Sequence, residues 1–268
     1  MAIVDLAERR LIFSINSGRS GSKYLAQLLG TAAQVRSFHE AEPKMSGEFI
    51  EMINRAPLES SREKRRIKSR AIAEIVRTFG PDEIYAETNH TFITTFYDVV
   101  LEDFQKIDIV ILRRDLALVL KSFIELGYFS PRNPLSYQWM SSPNAVTAAL
   151  PALAPDSALD QFDLCIAYLF DIEARTERFK REYPAVPTHE VRLEQLNDID
   201  FVSDFFGALR LTQTPATKEL CGRAVNERRE RKAKIDNQVS LPQCRERLVS
   251  YIAKSEAGGV KLPISASA

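Results

Sequence analysis

The amino-acid sequence predicts an α/β fold, a parallel β-sheet flanked by helices. Three observations carry that class. Short apolar runs alternate along the chain with longer segments of helical periodicity. One run, IDIVIL at Ile107–Leu112, is apolar at five of six positions, as a strand covered on both faces requires. The first run leads through a loop with two glycines directly into a helix former, the strand–loop–helix order of a βα unit.

Four strands are expected, at Leu11–Ile15, Glu83–Ala86, Ile107–Leu112 and Thr188–Leu193. Between them lie five expected helices, Gly21–Leu29, Arg62–Phe79, Thr91–Phe104, Leu116–Leu126 and Leu159–Glu182. In the last, Phe162, Cys165, Ile166, Leu169, Phe170 and Ile172 recur at helical spacing. Asp115 stands where it can cap the fourth. Tyr128–Asp156 breaks the rhythm with five prolines, four serines and the chain's one tryptophan, Trp139. A stretch of this length without periodicity reads as a lid over a site, carrying Tyr128, Phe129, Tyr137 and Trp139, or as a packed surface loop.

Composition narrows the function classes. The chain has 268 residues, 45% hydrophobic and 27% charged, with no net charge, and is expected to form a single domain over 1–268. Zero net charge gives no global pull toward nucleic acid. No apolar run approaches the roughly 18–20 residues of a membrane span. The N-terminus MAIVDLAERR lacks the basic start and cleavage site of a secretory signal. Three widely spaced cysteines, Cys165, Cys221 and Cys244, fit a reducing compartment, and a cytoplasmic location is expected. Three histidines without CxxC or HExxH give no zinc site, and no metal is expected. Two basic runs, Arg62–Arg70 and Arg223–Lys234, read first as solvated helix faces and lack the aromatic interleaving of a nucleic-acid platform.

The chemistry concentrates at Leu11–Tyr24, LIFSINSGRSGSKY. A strand ends in Ser17-Gly18-Arg19-Ser20-Gly21-Ser22-Lys23 and a helix follows. Such a loop aims backbone N–H groups and a helix N-terminus at one anion, with two glycines for close approach and Arg19, Lys23, Ser20 and Ser22 as further donors. It is not a Walker A loop, because Lys23 lies two residues past Gly21 and Tyr24 replaces the magnesium-binding hydroxyl; a magnesium-dependent kinase is a disfavoured alternative. A second constellation, ILRRDLALVLKSF, ends a strand at Arg113-Arg114 and places Ser122 two helical turns on. The two could converge on a second phosphate, or the arginines could form a strand-end ion pair.

These motifs together resemble sulfotransferases that use 3′-phosphoadenosine 5′-phosphosulfate (PAPS). SGRSGSKYL resembles their 5′-phosphosulfate loop, written PRSGTTL or PKSGTTW. ILRRDLALVLKSF resembles their 3′-phosphate motif, an arginine before aspartate with a serine eight positions later. HEVRLEQLND, His189–Asp198, looks like their YEDL element. The resemblance covers about residues 10–210. It implies a P-loop nucleoside-triphosphate-hydrolase-like fold and transfer of a sulfuryl group to a hydroxyl, less readily an amine, of a small-molecule or carbohydrate acceptor. It implies that Ser17, Gly18, Arg19, Ser20, Gly21, Ser22 and Lys23 hold the phosphosulfate, with Arg19 and Lys23 near the leaving group. Arg114 and Ser122 would hold the 3′-phosphate. The glycine-rich adenine loop of cytosolic sulfotransferases is not recognisable; Asn226–Lys234, NERRERKAK, with Asn226 and Arg228, could serve in its place. The chain departs from the family at Lys23, at Leu116 and in RLEQL.

Such a transfer needs a base for the acceptor proton. VRSFHEAEP, Val35–Pro43, resembles the CGEET region of tyrosylprotein sulfotransferases, which places Glu40 as the base. ETNH, Glu87–His90, is similar to the KTH segment of cytosolic sulfotransferases, which places His90 there, with Glu87 in the lysine's position. Glu40 is the first choice and His90 the second, followed by Glu42 and Glu87. Each could instead be a surface carboxylate or a helix cap. A nucleotide-binding module without catalysis is the further alternative.

Overall fold

The computed structural model describes residues 8–155, 158–223 and 238–263. Among them the chain divides into two compact units. One comprises 8–45, 62–113 and 183–223, the other 46–61, 114–155, 158–182 and 238–263.

The first unit is built on five parallel strands, β1 (Arg10–Ile15), β2 (Val35–His39), β3 (Ile84–Thr88), β4 (Lys106–Arg113) and β5 (Thr188–Arg192), in the order β2-β3-β1-β4-β5. The four expected strands are present within two residues. β2 was not expected from the pattern: in VRSFH only Val35 and Phe38 are strongly apolar, and it is an edge strand with one buried position. From β1 the chain goes to β2 and β3 on one side, then to β4 on the other. The C-terminal end of β1 therefore lies where the winding reverses, the usual ligand position in such sheets.

Strand alternation sorts the two faces. Leu11, Phe13, Tyr85 and Glu87 share one, by the register Leu11↔Tyr85 and Phe13↔Glu87. The other carries Ile12, Ile84, Ala86, Val110, Leu112 and Val191. These join Leu25, Leu28 and Leu29 of helix α1 (Ser22–Leu29) and Phe205 and Phe206 further along in one core cluster.

The first face is covered by aromatic rings and by an unusual helix. Phe13 stacks on Phe92 at 4.8 Å, and Phe96 meets both edge-on. The expected helix Thr91–Phe104 is a π-helical turn, Phe92–Phe96, followed by an α-helix, Tyr97–Asp103. The basic helix Arg62–Arg77 is only in part the solvated face that its charge suggests: Lys64 and Arg70 are exposed, but one side is buried. Its buried stripe is Arg65, Lys68, Ser69, Ile72 and Val76, and Arg65 and Lys68 are wholly inaccessible. Arg65 donates to Asp98 Oδ2 at 2.7 Å and to the Thr95 carbonyl at 2.9 Å, tying this helix to the two that follow β3.

In the second unit, Leu116–Glu125 packs against Gln161–Glu182 and Leu241–Ala257. Asp115 caps the first of these as expected, accepting from Leu118 N at 3.0 Å. The last helix starts at a Ser240 cap followed by Pro242 and ends at Gly258. The segment after Gly127 is bonded into this unit. Gly47 N donates to Gln138 O (2.7 Å), Ser142 N to Asn54 Oδ1 (2.9 Å) and Val146 N to Asn54 O (3.0 Å). Asp171, in a buried ion pair with Arg175 at 2.6 Å, accepts from Ala149 N and Leu150 N. Tyr137 and Trp139 remain 50% and 37% exposed. No described helix is long and apolar enough to cross a membrane.

Removing one member of a buried ion pair strands the other. Arg65→Met is therefore expected to lower unfolding free energy by about 3–5 kcal/mol, and Arg65→Met/Asp98→Leu to recover much of it. Urea unfolding followed by circular dichroism measures both; a single variant as stable as the parent would contradict this account.

Candidate active site

The loop after β1 has the shape of an anion cradle. Gly18 (φ 75°), Arg19 (φ 54°) and Gly21 (φ 94°) are left-handed, so the backbone doubles back before α1 begins. Asn16, buried, fixes the turn: its amide donates to Ser14 Oγ at 2.8 Å and its carbonyl oxygen accepts from Gly18 N at 3.1 Å. Gly21 precedes α1 without a side-chain cap, so the first-turn N–H groups keep their capacity for an anion. Any other residue at Gly21 would place its Cβ 2.5 Å from Leu193 Cδ1. Leu193 belongs to the RLEQL element, which therefore seats the loop. Ser20 is 1% exposed, and its Oγ has no hydrogen-bond partner among the described residues. A buried hydroxyl without a partner is costly, and a phosphate or sulfate oxygen would satisfy it. Ser22 is buried at the start of α1, whereas Lys23 is exposed.

Tyr24 serves the fold. Its hydroxyl donates to Leu196 O at 3.0 Å and accepts from Gly222 N at 3.1 Å. Among the described residues no group of histidine, cysteine, aspartate and glutamate is arranged to hold a metal.

β2 and β3 are neighbours, so the residues that follow them meet. Glu40 follows β2 and His90 lies two residues past β3. Glu40 Oε1 is 2.8 Å from His90 Nδ1. The two candidate bases, alternatives in the sequence, form one pair. The pair abuts the cradle: a Cβ on Gly18 would sit 3.7 Å from the His90 ring. Burial raises the Glu40 carboxyl, but the hydrogen bond and charge of His90, with His39 and Lys44, outweigh it and bring it down to about 2. An ionised carboxylate only accepts, so His90 Nδ1 donates, and the neutral ring presents Nε2 as an acceptor. The lowered Glu40 carboxyl suits a hydrogen-bond acceptor for the His90 ring. Glu40 also holds a left-handed backbone (φ 53°), a conformation that non-glycine residues adopt at a cost and that clusters at functional sites.

His39 Nδ1 lies 3.0 Å from Thr88 Oγ1, whose hydroxyl donates to Ser22 O at 2.9 Å. Burial lowers the His39 imidazole, against the raising charge of Glu40.

Glu87 and Glu42 are engaged elsewhere. Glu87 is 1% exposed. Its Oε1 accepts from Lys68 Nζ (2.8 Å), Ala41 N (3.1 Å) and Asn89 Nδ2 (2.9 Å), and its Oε2 from Tyr85 OH (2.6 Å). Glu42 is exposed and accepts from Lys44 N at 2.9 Å.

The second motif begins the second unit. Arg113 closes β4 and pairs with Glu190 of β5 at 2.7 Å, so the first arginine is the strand-end ion pair. Arg114 follows it and is half-buried; Ser122 is buried on the helix two turns on. Asn226 and Arg228 lie outside the described residues.

Glu40 yields a prediction. Its carboxyl lies below the usual 4.5, near 2, so the stability it contributes is fully present above about pH 4.5 and is lost as pH falls toward 2. Glu40→Gln is expected to remove that part of the acid limb in pH-dependent urea unfolding. An acid limb identical to the parent's would contradict the Glu40–His90 hydrogen bond.

No known protein-family model matches the chain, and no curated protein does. Solved structures match in fold. The sulfotransferase domain from the curacin biosynthetic pathway shares 13% identity at a TM-score of 0.51, covering 91% of this chain and 98% of its own. A sulfotransferase from Alicyclobacillus acidocaldarius shares 13% identity at 0.52, covering 93% and 95%. With its parallel five-stranded sheet flanked by helices, this chain thus has the P-loop-like sulfotransferase fold.

Proposed function

We propose that this chain is a sulfotransferase that moves the sulfuryl group of PAPS to a hydroxyl of a small-molecule or carbohydrate acceptor. The observation that supports it most is the apposition of the Gly18–Lys23 cradle, with its buried Ser20 hydroxyl, to the Glu40–His90 pair. One part suits the anion that leaves and the other the proton that departs.

The reaction is an in-line displacement. The acceptor oxygen attacks sulfur, the bond from sulfur to the bridging phosphate oxygen breaks, and charge builds on that oxygen. Backbone N–H groups of residues 18–23, with Ser20, Ser22, Arg19 and Lys23, would hold the phosphosulfate and stabilise that charge. His90 Nε2 would take the acceptor's proton. Glu40 would hold the ring's tautomer and balance the imidazolium, as a carboxylate does for a catalytic histidine. Arg114 and Ser122 would hold the 3′-phosphate, as their spacing in the motif suggests. Asn226 and Arg228 are proposed near the adenine, and the 128–156 segment, with exposed Tyr137 and Trp139, beside the acceptor.

Transfer of radiolabelled sulfate from PAPS to members of an acceptor panel tests the activity. His90→Ala is expected to lower the rate by about 10²–10⁴-fold while leaving affinity for adenosine 3′,5′-bisphosphate intact. A full-rate His90→Ala enzyme would remove His90 from the reaction. Arg114→Ala should weaken that bisphosphate by roughly 10–100-fold, as loss of a charge-assisted bond implies, and spare adenosine 5′-monophosphate. Equal losses for both nucleotides, measured by calorimetry, would make Arg114 structural.

A further inference from the structure

The Glu40–His90 pair stands on two turns that leave neighbouring strands. The residue after Glu40 is Ala41, and the residue before His90 is Asn89. Both are gripped by one buried ion pair. Glu87 Oε1 accepts from Ala41 N at 3.1 Å and from Asn89 Nδ2 at 2.9 Å. Lys68 Nζ, 2.8 Å from the same oxygen, donates to Ala41 O at 2.6 Å. Both peptide groups of Ala41 are thus held from the same point. Asn89 carries the restraint across His90, because its Oδ1 accepts from Thr91 N (2.9 Å) and Thr91 Oγ1 (2.8 Å). Lys68 and Glu87 have side chains with no exposure and lie behind the pair, on the face covered by the basic helix.

We infer that the buried Lys68–Glu87 pair is a positioning device for the reaction, setting the Glu40–His90 hydrogen bond and with it the ring nitrogen that accepts the proton. The inference rests on the proposed role of Glu40 and His90. It explains an otherwise expensive feature. A lysine and a glutamate buried together stabilise a fold weakly compared with apolar residues of like volume, so their presence here fits a role in fixing geometry. Four donors on one carboxylate also fix the direction in which the two turns leave the sheet. A shift of the turns of the order of 1 Å would move Nε2 off a near-attack acceptor hydroxyl and cost about 10²-fold in rate.

The test uses the full chain, labelled with ¹⁵N at histidine, and reads the tautomer of His90 from its two ring-nitrogen shifts. The parent is expected to hold neutral His90 protonated at Nδ1. Glu87→Gln should release it to a mixture with the Nε2–H form and lower kcat by about 10²-fold, with KM for PAPS unchanged. Lys68→Met/Glu87→Gln removes both charges, so it keeps the fold if the single variant does not, and it should show the same release. Phe206→Leu, in the core cluster of the opposite face, controls for lost stability and should leave the tautomer in place. An unchanged tautomer in Glu87→Gln and in the double variant, or an equal change in Phe206→Leu, would overturn the inference. A tautomer that moves as stated in a chain without sulfuryl transfer would uphold the positioning and overturn the proposed activity.

Discussion

Three segments far apart in sequence depend on the Glu87 carboxylate: the turn after β2, the turn after β3 and the basic helix. It collects a lysine, a backbone amide, a side-chain amide and a phenol. A charge desolvated to this degree is tolerable only when each acceptor position is filled. Removing one partner from such a buried pair costs about 3–5 kcal/mol, a large share of a domain's total stability. The edge of the sheet that carries the candidate site is therefore held by polar satisfaction, and the strands behind it by apolar packing.

The sheet supplies the remaining constraint. Parallel strands send all their C-terminal loops to one edge, and the order β2-β3-β1 brings the ends carrying Glu40, His90 and the glycine loop side by side. Glycines at 18 and 21 let the loop turn tightly, and Leu193 closes on the second of them. Arg19 and Glu40 accept left-handed backbone at the same edge. The local strain, the buried Ser20 hydroxyl and the paired charges all lie where an anion and a proton would be handled together.

Much of this was legible in the residues. The apolar runs marked β1, β3, β4 and β5, and Ser17–Lys23 announced the loop by its glycines and its place after a strand. Asp115 marked the helix start that it caps. β2 escaped because an edge strand needs little apolar sequence; its position shows only through its pairing with β3. The buried ion pair escaped because Lys68 sits in a run of six cations against one acid and looks solvated. Its spacing held the clue: Arg65, Lys68 and Ser69 continue the stripe of Ile72 and Val76 by helical periodicity, so they face the same way as the apolar residues. Glu40 and His90 were each visible as a base, but their pairing depends on which strands are neighbours, and the motif spacings do not encode that. The helix Leu241–Ala257 carried its signals, a Ser240 cap, Pro242 and Gly258, and an apolar stripe too weak to draw notice.

As proposed, the loop after β1 and the Arg114 motif serve a nucleotide with phosphates at two places and need no metal. Calorimetric titration of the chain with adenosine 3′,5′-bisphosphate, and separately with ATP and magnesium, tests it most directly. The bisphosphate is expected to bind in the presence of a chelator and more tightly than ATP with magnesium. Binding of ATP that requires magnesium, together with no binding of the bisphosphate, would contradict it.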